Sequence, residues 1–399
     1  MHGHREFHPA LNYSIVTVMS VAVVAMKATL PFKIKALGGD FGTVGLLFMW
    51  TSGWYVAAGV GLAWISHRFG PRRIMLTMLA ICAAATLTMP ATNAIWQLYA
   101  LATVYAIGEC LFWTAMEHAT TGLHTHLSLV QSTGIFCVAF SVGNAVGLVI
   151  SGTSQGQTIT LPFVVSAALT VVVWVLVWTT VFDGGTRSVA SAGSFGHDEA
   201  WPSKERLRRS LLASRTGLVG VYGTYALVML FLPRYLWEVH GFAKSSASAL
   251  TSLTLAAMAV TFAAHGWRAG WQHKLATVRA APFVAGLALL VAGATAQPVI
   301  IAAGAIFVGI AAGTAYTHNL FYSLEEPGLR ARRAGIHEAL IGVAYMVPPA
   351  LSGLATRWTN DPRSIFWVGA GLAVVAGIVQ AISLRRTGRS ARRPVETLR

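Results

Sequence analysis

The stretch GIFCVAFSVGNAVGLVISG, residues 134–152, aligns without a gap on GIHEALIGVAYMVPPALSG, residues 335–353. Nearly the same displacement, about 201 positions, places LPFKIKALGG, residues 30–39, on LPRYLWEVHG, residues 232–241. Each match alone is weak, but matches in the same order at nearly one offset indicate an internal duplication. The fold is therefore expected to contain two similar units, one in each half of the chain.

Composition indicates the medium in which these units fold. Of the 399 residues, 55% are hydrophobic and only 11% are charged, which is typical of a chain with many membrane-spanning helices. A hydrocarbon layer about 30 Å thick takes roughly 20 apolar residues per helix. Twelve such segments, numbered 1 to 12 from here on, lie at 13–36, 43–66, 73–92, 95–118, 130–152, 160–182, 213–237, 246–266, 275–296, 298–322, 334–357 and 363–384. We predict an all-α integral membrane protein of twelve transmembrane helices in two pseudo-symmetric six-helix bundles.

The middle of the chain separates the two predicted bundles. Residues 183–210 are first rich in Gly and Ser, then charged, and contain no apolar run, as is typical of a linker. Segment 1 is too long for the core of a signal peptide, so we expect it to be retained. The predicted parts are an N-terminal bundle, a cytoplasmic linker, a C-terminal bundle and a basic cytoplasmic tail, at residues 1–182, 183–212, 213–384 and 385–399.

The distribution of basic residues predicts orientation. The net charge is +15, and with a cytoplasmic N-terminus 22 of the 29 Lys and Arg residues fall in cytoplasmic loops and tails, six near outer connections and one, Lys27, inside a segment. This asymmetry follows the positive-inside rule and argues for a lipid bilayer rather than a nucleic acid as the partner. We expect a monomer in the plasma membrane, which is the inner membrane in a Gram-negative bacterium, with both termini in the cytoplasm.

With its duplication and twelve segments, the chain resembles the major facilitator superfamily of transporters over essentially its whole length. Between segments 2 and 3 that family carries a Gly-x-x-x-Asp-Arg-x-Gly-Arg-Arg loop. Here AWISHRFGPRR, residues 63–73, matches at Arg68, Gly70, Arg72 and Arg73, while Ala63 and His67 replace the Gly and the Asp. We expect a gating loop whose cations bind helix C-termini or carboxylates in one conformation only; an ordinary positive-inside loop is the alternative.

Segments 5 and 11 carry a second point of resemblance. Small residues in segment 5 match the family's Gly-rich antiporter motif, although Leu148 stands where that motif has Pro, and segment 11 keeps Pro348 and Pro349. Such residues allow close helix approach and bending, so the pair suits either a rocking motion or simple tight packing. Many drug antiporters of the family carry an Arg in segment 4 where this chain has Val104, which argues against a standard drug/proton antiporter.

An unusually polar stretch, YAIGECLFWTAMEH at residues 105–118, lies in segment 4. Tyr105, Glu109, Trp113 and Glu117 share one helical face. The resemblance implies that segments 1, 2, 4, 5, 7, 8, 10 and 11 line a water-filled cavity, so this face should look into it. Lys27 and Glu109 lie near the middle of their segments, and we predict an ion pair between them at the cavity wall. A substrate anion or a proton would compete for one partner; a permanent structural pair is the alternative.

Further polar and aromatic residues lie on the expected cavity faces. Histidines and partly buried carboxylates titrate near neutrality and suit proton exchange, although a helix-end hydrogen-bond network is an alternative. Trp50, Trp54, Trp113, Tyr222 and Tyr225 are candidates for aromatic walls around an organic, partly apolar solute, or for interfacial belts. The candidate residues for solute binding or proton coupling are Lys27, Trp54, Glu109, Trp113, Glu117, His118, Asn144, Tyr316, His318, Asn319, Glu338 and Tyr345.

The expected function is that of a secondary active transporter, which moves a small organic solute by alternating access and is coupled to protons. A transition-metal transporter is an alternative because HGHREFH, residues 2–8, and EHATTGLHTH, residues 117–126, are His-rich. Neither has the Cys or carboxylate complement of a closed site, so we predict no metal site. A non-transporting sensor or assembly protein is the other alternative. We find no nucleotide-binding loop, metalloprotease motif or nucleophile elbow in the sequence, and predict neither enzymatic activity nor a cofactor.

Overall fold

The protein is described by a computed structural model that covers residues 9–68, 70–121, 127–179, 204–268, 270–272, 274–326 and 329–390. Within these ranges all regular structure is helical, and twelve helical segments are long and apolar enough to cross a membrane. The predicted all-α fold with twelve transmembrane segments is therefore confirmed. This is a multi-pass membrane protein.

Eleven of the segments are single helices, and segment 1 is two. Segment 1 consists of Pro9–Lys27 and Leu30–Ala36, and the helix is interrupted between them because Pro31 has no backbone N–H to donate to the carbonyl of Lys27 and its ring clashes with that carbonyl. Segments 2 to 12 are, in order, Phe41–Arg68, Pro71–Thr88 with a following 3₁₀ turn at Met89–Ala91, Ile95–Thr121, Leu129–Gln155, Leu161–Thr179, Lys204–His240, Lys244–Trp267, Leu275–Gly293, Pro298–Leu324, Arg330–Thr359 and Ser364–Ser390.

Segment 7 begins earlier than the sequence predicted. Its helix starts at Lys204 rather than at residue 213, because Leu207 and Leu211 pack in a buried cluster with Phe321 and Tyr322 of segment 10. A helix therefore begins within the residues predicted as a linker, 183–212, and the division of the chain into bundles and linker stays a prediction. The remaining residues of that range, 183–203, lie outside the described residues. Segment 12 likewise continues as a helix into the predicted tail, of which residues 391–399 are outside the description.

Two long helix pairs join the first half of the sequence to the second. Segment 2 packs along segment 11, and segment 5 packs along segment 8. Segment 5 approaches closely because its glycines leave no side chain in the way: a Cβ at Gly134 would lie 2.7 Å from the Cα of Gly266, and a Cβ at Gly147 would lie 2.5 Å from the carbonyl oxygen of Val21. The small residues of segment 5 therefore serve helix packing. The division into two moving bundles stays a prediction.

The ends of the helices define two faces. We call the one that holds Pro9 and Lys204 the linker end, and the one that holds Gly38 and Asp40 the far end. Gly38 has φ +85°, a left-handed conformation that favours glycine, and it lets the amide of Gly39 bond back to the carbonyl of Ile34 at 2.8 Å. This tight cap holds the loop before segment 2 against the bundle.

Candidate functional site

A central cavity of about 100 Å³ lies among segments 1, 2, 4, 5, 7, 10 and 11. Segment 8 contributes no lining residue, although the family resemblance implied that it would. The polar and aromatic residues that line the cavity are Lys27, Phe48, Thr51, Ser52, Tyr55, Tyr105, Glu109, Trp113, Phe136, Phe140, Asn144, Tyr222, Tyr225, Tyr316, Glu338 and Tyr345. The space is large enough for a small organic molecule rather than a single water.

Lys27 and Glu109 form an ion pair at the cavity wall. Nζ of Lys27 donates to Oε1 of Glu109 at 2.7 Å, and the glutamate side chain is only 5% exposed. The same Nζ lies 5.7 Å from the ring centroid of Tyr345, within range of a cation–π contact. Oε2 of Glu109 has no hydrogen-bond partner among the described residues. The predicted pair is present, and its role in solute or proton binding stays a prediction.

A second carboxylate, Glu338 of segment 11, lines the cavity. It is buried and accepts a hydrogen bond from the hydroxyl of Tyr55 on segment 2. Two helical turns further along segment 11, Tyr345 also reaches the cavity, as does its counterpart in the sequence repeat, Asn144 of segment 5. The ring centroid of Tyr345 lies 6.3 Å from that of Tyr225 on segment 7. The duplicated stretches 134–152 and 335–353 thus supply polar groups to one site from two sides.

Aromatic rings form much of the remaining wall. Phe140 stacks on Tyr316 with centroids 6.3 Å apart, and Trp113 meets Phe140 edge-on at 5.5 Å. Tyr222 lies 4.7 Å from Tyr225 and 5.6 Å from Tyr316. These contacts cross between segments 4, 5, 7 and 10, so the rings connect the two halves of the sequence around the cavity.

Trp54, a predicted site residue, does not line the cavity. Its side chain is 44% exposed and that of Trp50 is 49% exposed. Thr51, Ser52 and Tyr55 occupy the cavity face of segment 2. Trp50 and Trp54 are one turn apart on another face, since each residue advances about 100° around a helix. The prediction of an aromatic cavity wall at Trp50 and Trp54 is wrong, and both rings are on the outer surface of the bundle.

Of the three predicted residues on segment 10, Tyr316 lines the cavity, and His318 and Asn319 are buried behind it. The Nδ1 of His318 is 2.8 Å from the carbonyl oxygen of Thr314, and its ring lies 4.6 Å from that of Trp271. The amide oxygen of Asn319 bonds with His337 at 3.2 Å. His318 points elsewhere because two residues along a helix rotate a side chain by about 200° from the face of Tyr316. Asn319, three residues on, stays near that face but lies almost one turn closer to the linker end, where it meets His337.

Glu117 and His118 lie in the helix of segment 4, but their side chains are outside the described part of the chain, as are the whole of residues 2–8 and 122–126. The predicted proton-exchange role of Glu117 and His118 therefore stays a prediction. Among the side chains that are described, no group of three or more His, Cys, Asp or Glu residues is arranged to hold a metal ion.

The predicted gating loop contacts a helix end. Nη2 of Arg72 donates to the carbonyl oxygen of Trp178, in the last turn of segment 6, at 2.5 Å. A cation at a helix C-terminus is favourable because the last carbonyls are unpaired there. Gly70 precedes the first turn of segment 3 and is exposed, as is Arg73, while the side chain of Arg68 lies outside the description. The contact is of the predicted kind, and a gating role stays a prediction.

A buried arginine closes the far end, and the sequence analysis missed it. Arg234 of segment 7 is 1% exposed and donates to the carbonyl oxygens of Pro31, Gly39 and Asp40 at 3.2–3.4 Å. Its guanidinium carbon lies 4.4 Å from the ring centroid of Phe41, and its Nε donates to Glu238 at 2.8 Å. Arg234 lies in LPRYLWEVHG, residues 232–241, the stretch that repeats LPFKIKALGG, and its partners are in or next to that first copy.

A second ion pair at the far end joins the loop before segment 2 to segment 11. Arg357 donates from Nε and Nη2 to the two carboxylate oxygens of Asp40, at 2.7 and 2.8 Å. Hydrogen bonds from Arg357, and then those from Thr43, hold the pKa of Asp40 well below its usual range despite partial burial. Both side chains are more than a third exposed, so the pair contributes little stability by itself. With Arg234, it forms a network of polar contacts across the two halves.

Fold and site together define a polytopic membrane protein with a polar central cavity that one end of the bundle closes. A sequence model of the Major Facilitator Superfamily matches residues 13–327, and the chain belongs to that family. No curated protein matches the chain in sequence.

Solved structures share the fold. The nucleoside transporter NupG has a TM-score of 0.69 at 11% identity, with 95% of this chain and 99% of that chain covered. A bacterial homolog of the human lysosomal transporter Spinster, inward-facing and unoccupied, has a TM-score of 0.70 at 16% identity, with 97% and 98% covered. A POT family transporter in complex with 5-aminolevulinic acid has a TM-score of 0.71 at 11% identity, with 95% and 96% covered. At these identities the likeness concerns the fold alone.

Proposed function

We propose that the protein is a secondary active transporter that carries a small organic solute across the membrane by alternating access and couples this movement to protons. One observation carries the proposal: the central cavity is formed by segments of both halves and holds an ion pair and a second carboxylate in the interior of the bundle. An ionisable group at that depth costs free energy, so it is rare unless a partner compensates its charge or a function requires it.

The solved structures with this fold support an organic solute. They include a nucleoside transporter and a transporter in complex with 5-aminolevulinic acid. The aromatic walls of the cavity, which include Trp113, Phe140 and six tyrosines, suit the apolar part of such a molecule. Polar groups between the rings supply orientation and specificity.

Proton coupling is assigned to the cavity carboxylates, Glu109 and Glu338. Protonation of Glu109 removes the attraction that holds Lys27 at 2.7 Å, and protonation of Glu338 changes its bond with Tyr55, which bridges segments 2 and 11. A proton at either group therefore alters contacts between helices that must move relative to each other. Glu117 and His118 are retained as candidates for the path of the proton to the linker end.

The remaining proposals concern the moving units, the orientation in the membrane, the location and the oligomeric state. The two bundles, residues 1–182 and 213–384, act as the moving units, and the linker end faces the cytoplasm because the basic loops lie there. In a bacterium the location is the plasma membrane, which is the inner membrane of a Gram-negative cell. A single chain builds the whole cavity, so we propose a monomer that has no enzymatic activity.

The test is transport by the purified full-length protein in liposomes with an imposed pH gradient and a broad panel of organic solutes. The expected result is accumulation of at least one solute, which a proton ionophore abolishes. Accumulation that persists with the ionophore would remove proton coupling and keep transport. Binding of a solute in the absence of any flux, with correctly inserted protein, would favour the sensor alternative.

A further inference from the structure

Two arginines lie together near the linker end, on segments 7 and 11. Both segments begin at that end, and deeper in the bundle Tyr222 of segment 7 lies 6.2 Å from Tyr345 of segment 11. Arg215 and His337 are each about two helical turns nearer the linker end than these tyrosines, so they lie at similar depths. The charge of Arg215 accordingly acts on His337, and the charge of Arg333, one turn before His337, acts on Arg215. We call Arg215 and Arg333 the linker-end arginine pair.

The linker-end arginine pair has too few partners for its charge. Nη2 of Arg333 donates to Glu326 at 2.5 Å, but Nη1 of Arg333 is buried without a hydrogen-bond partner among the described residues. The partly buried side chain of Arg215 makes neither an ion pair nor a hydrogen bond within the described part of the chain, and its Nε is buried. One carboxylate therefore serves two guanidinium groups. Like charges that are partly removed from water and incompletely neutralised attract an anion.

Two fully buried side chains beside the arginine pair also have unused hydrogen-bonding capacity. His337 and Asn319 are 0% exposed, and Nδ1 of His337 lies 3.2 Å from the amide oxygen of Asn319. Nε2 of His337 and Nδ2 of Asn319 have no partner among the residues that the structure describes. The ring of His337 also lies 4.8 Å from that of Tyr316, which lines the central cavity. The arginine pair is therefore between the cavity and the linker end, with Arg215 about 10 Å along segment 7 from Tyr222.

We infer that the linker-end arginine pair binds a phosphate group. A guanidinium presents its N–H donors in a plane that matches the oxygens of a phosphate, and two guanidinium groups from neighbouring helices supply the positive charge that a phosphate needs. The bound group would join segment 7 to segment 11. Its source is either the headgroup of an anionic lipid or a phosphate compound in solution, because both present the same oxygens. The site is separate from the central cavity, so the inference does not depend on the transport function.

The test uses the purified full-length protein, delipidated in an uncharged maltoside detergent that contains no phosphate, and follows its unfolding by tryptophan fluorescence. One arm adds inorganic phosphate up to about 50 mM, with sodium chloride adjusted to keep the ionic strength constant. The other arm adds phosphatidylglycerol and is compared with a diacylglycerol that has the same chains. The unfolding temperature is expected to rise by about 2 °C or more in at least one arm.

The two arms distinguish the sources of the phosphate. A rise with inorganic phosphate alone assigns a soluble ligand, and a rise with phosphatidylglycerol alone assigns a lipid headgroup. A rise in both arms means that the site accepts either. No rise in either arm, with phosphatidylglycerol judged against the diacylglycerol, would overturn the inference.

A matched pair of variants on segment 7 locates the site. Arg215→Gln removes the unpaired charge, and Arg208→Gln removes the same charge from an exposed position on the same helix. We expect the rise in unfolding temperature to disappear in Arg215→Gln and to persist in Arg208→Gln. Because Arg215 has no partner to lose, Arg215→Gln without ligand should unfold within about 2 °C of the parent or above it. An equal rise in both variants would refute the site, and so would a ligand-free Arg215→Gln protein that unfolds well below the parent, since that result would give Arg215 a structural role.

Discussion

Arg234 is expected to keep the far end closed, and its removal should open it. The guanidinium donates to three carbonyl oxygens of the first half at 3.2–3.4 Å and lies 4.4 Å from the ring centroid of Phe41. A charge-assisted hydrogen bond of ordinary length contributes about 1.5 kcal/mol after exchange with water, and these longer bonds are taken at about half of that each. With about 0.5–1 kcal/mol for the cation–π contact, the bias toward closure is about 2–3 kcal/mol.

The assay is labelling of a single cysteine from the far side. Cys82, Cys110 and Cys137 are fully buried and can be replaced by Ala to give a cysteine-free background. Leu30→Cys then places a thiol at the cavity wall near the far end, where the native leucine is 3% exposed. In this background Arg234→Met should raise the rate of reaction with a membrane-impermeant maleimide about 30- to 150-fold, the equivalent of 2–3 kcal/mol.

Lys35→Ala is the matched control. Lys35 pairs with Glu238 at 2.5 Å in the same network, but its side chain is 47% exposed, so its loss should change the labelling rate by about twofold or less. A monodisperse Arg234→Met protein that labels at the rate of its parent would refute the assignment of Arg234 to far-end closure.

Three further predictions concern the ion pairs and the gating loop. Lys27→Ala should destabilise the protein by about 3 kcal/mol, because it leaves the buried carboxylate of Glu109 unpaired, and Glu109→Gln should cost less, because the lysine that it leaves is 27% exposed. The double variant should regain stability yet lose pH-driven accumulation, and full accumulation by it would show the pair to be structural. Arg72→Ala should lower turnover while equilibrium solute binding stays within about twofold, and equal losses of both would argue against gating. The pKa of Asp40 is lower in the closed state than in a solvated one. Its free-energy contribution to closure is therefore complete above about pH 4 and is lost only as the pH falls through the lower, closed-state pKa. Each labelling rate is divided by that of a free thiol at the same pH, because maleimides react with the thiolate, whose fraction falls on acidification. Acidification of the far side from pH 7 to pH 5 should leave this normalised rate of Leu30→Cys unchanged, whereas Asp40→Asn should raise it up to about fivefold at both values. A rise in the normalised rate of the parent between pH 7 and pH 5 would contradict this.

The membrane fold was predictable because it depends on features that are local in sequence. Apolar length and composition locate the twelve segments, and the gapless match of residues 134–152 with 335–353 indicates the duplication. Tertiary packing decided the boundaries that were wrong. The start of segment 7 at Lys204 depends on Leu207 and Leu211 meeting Phe321, a contact about 110 residues away in sequence that no local pattern contains.

Site residues were predictable where their depth in the segment and their position around the helix both indicated the cavity. Lys27 and Glu109 were placed together by their depth in segments 1 and 4, and Asn144 and Tyr345 by their equivalent positions in the repeat. Trp54 was placed at the cavity incorrectly because the residue type indicates which surroundings an aromatic ring tolerates, but not which face of the helix carries the ring. Arg234 was missed because its partners are backbone carbonyl oxygens, which no sequence motif marks.

The central claim is that solute crosses the membrane through the central cavity, and exchange of labelled solute in liposomes tests it most directly once a carried solute is known. Ser52 lines the cavity and is 7% exposed, whereas Val60, on the same helix, is 71% exposed. A tryptophan at the first position fills the path and one at the second faces lipid. The account predicts that Ser52→Trp abolishes exchange and that Val60→Trp leaves it within about twofold of the parent. Full exchange by a correctly inserted Ser52→Trp protein would contradict it.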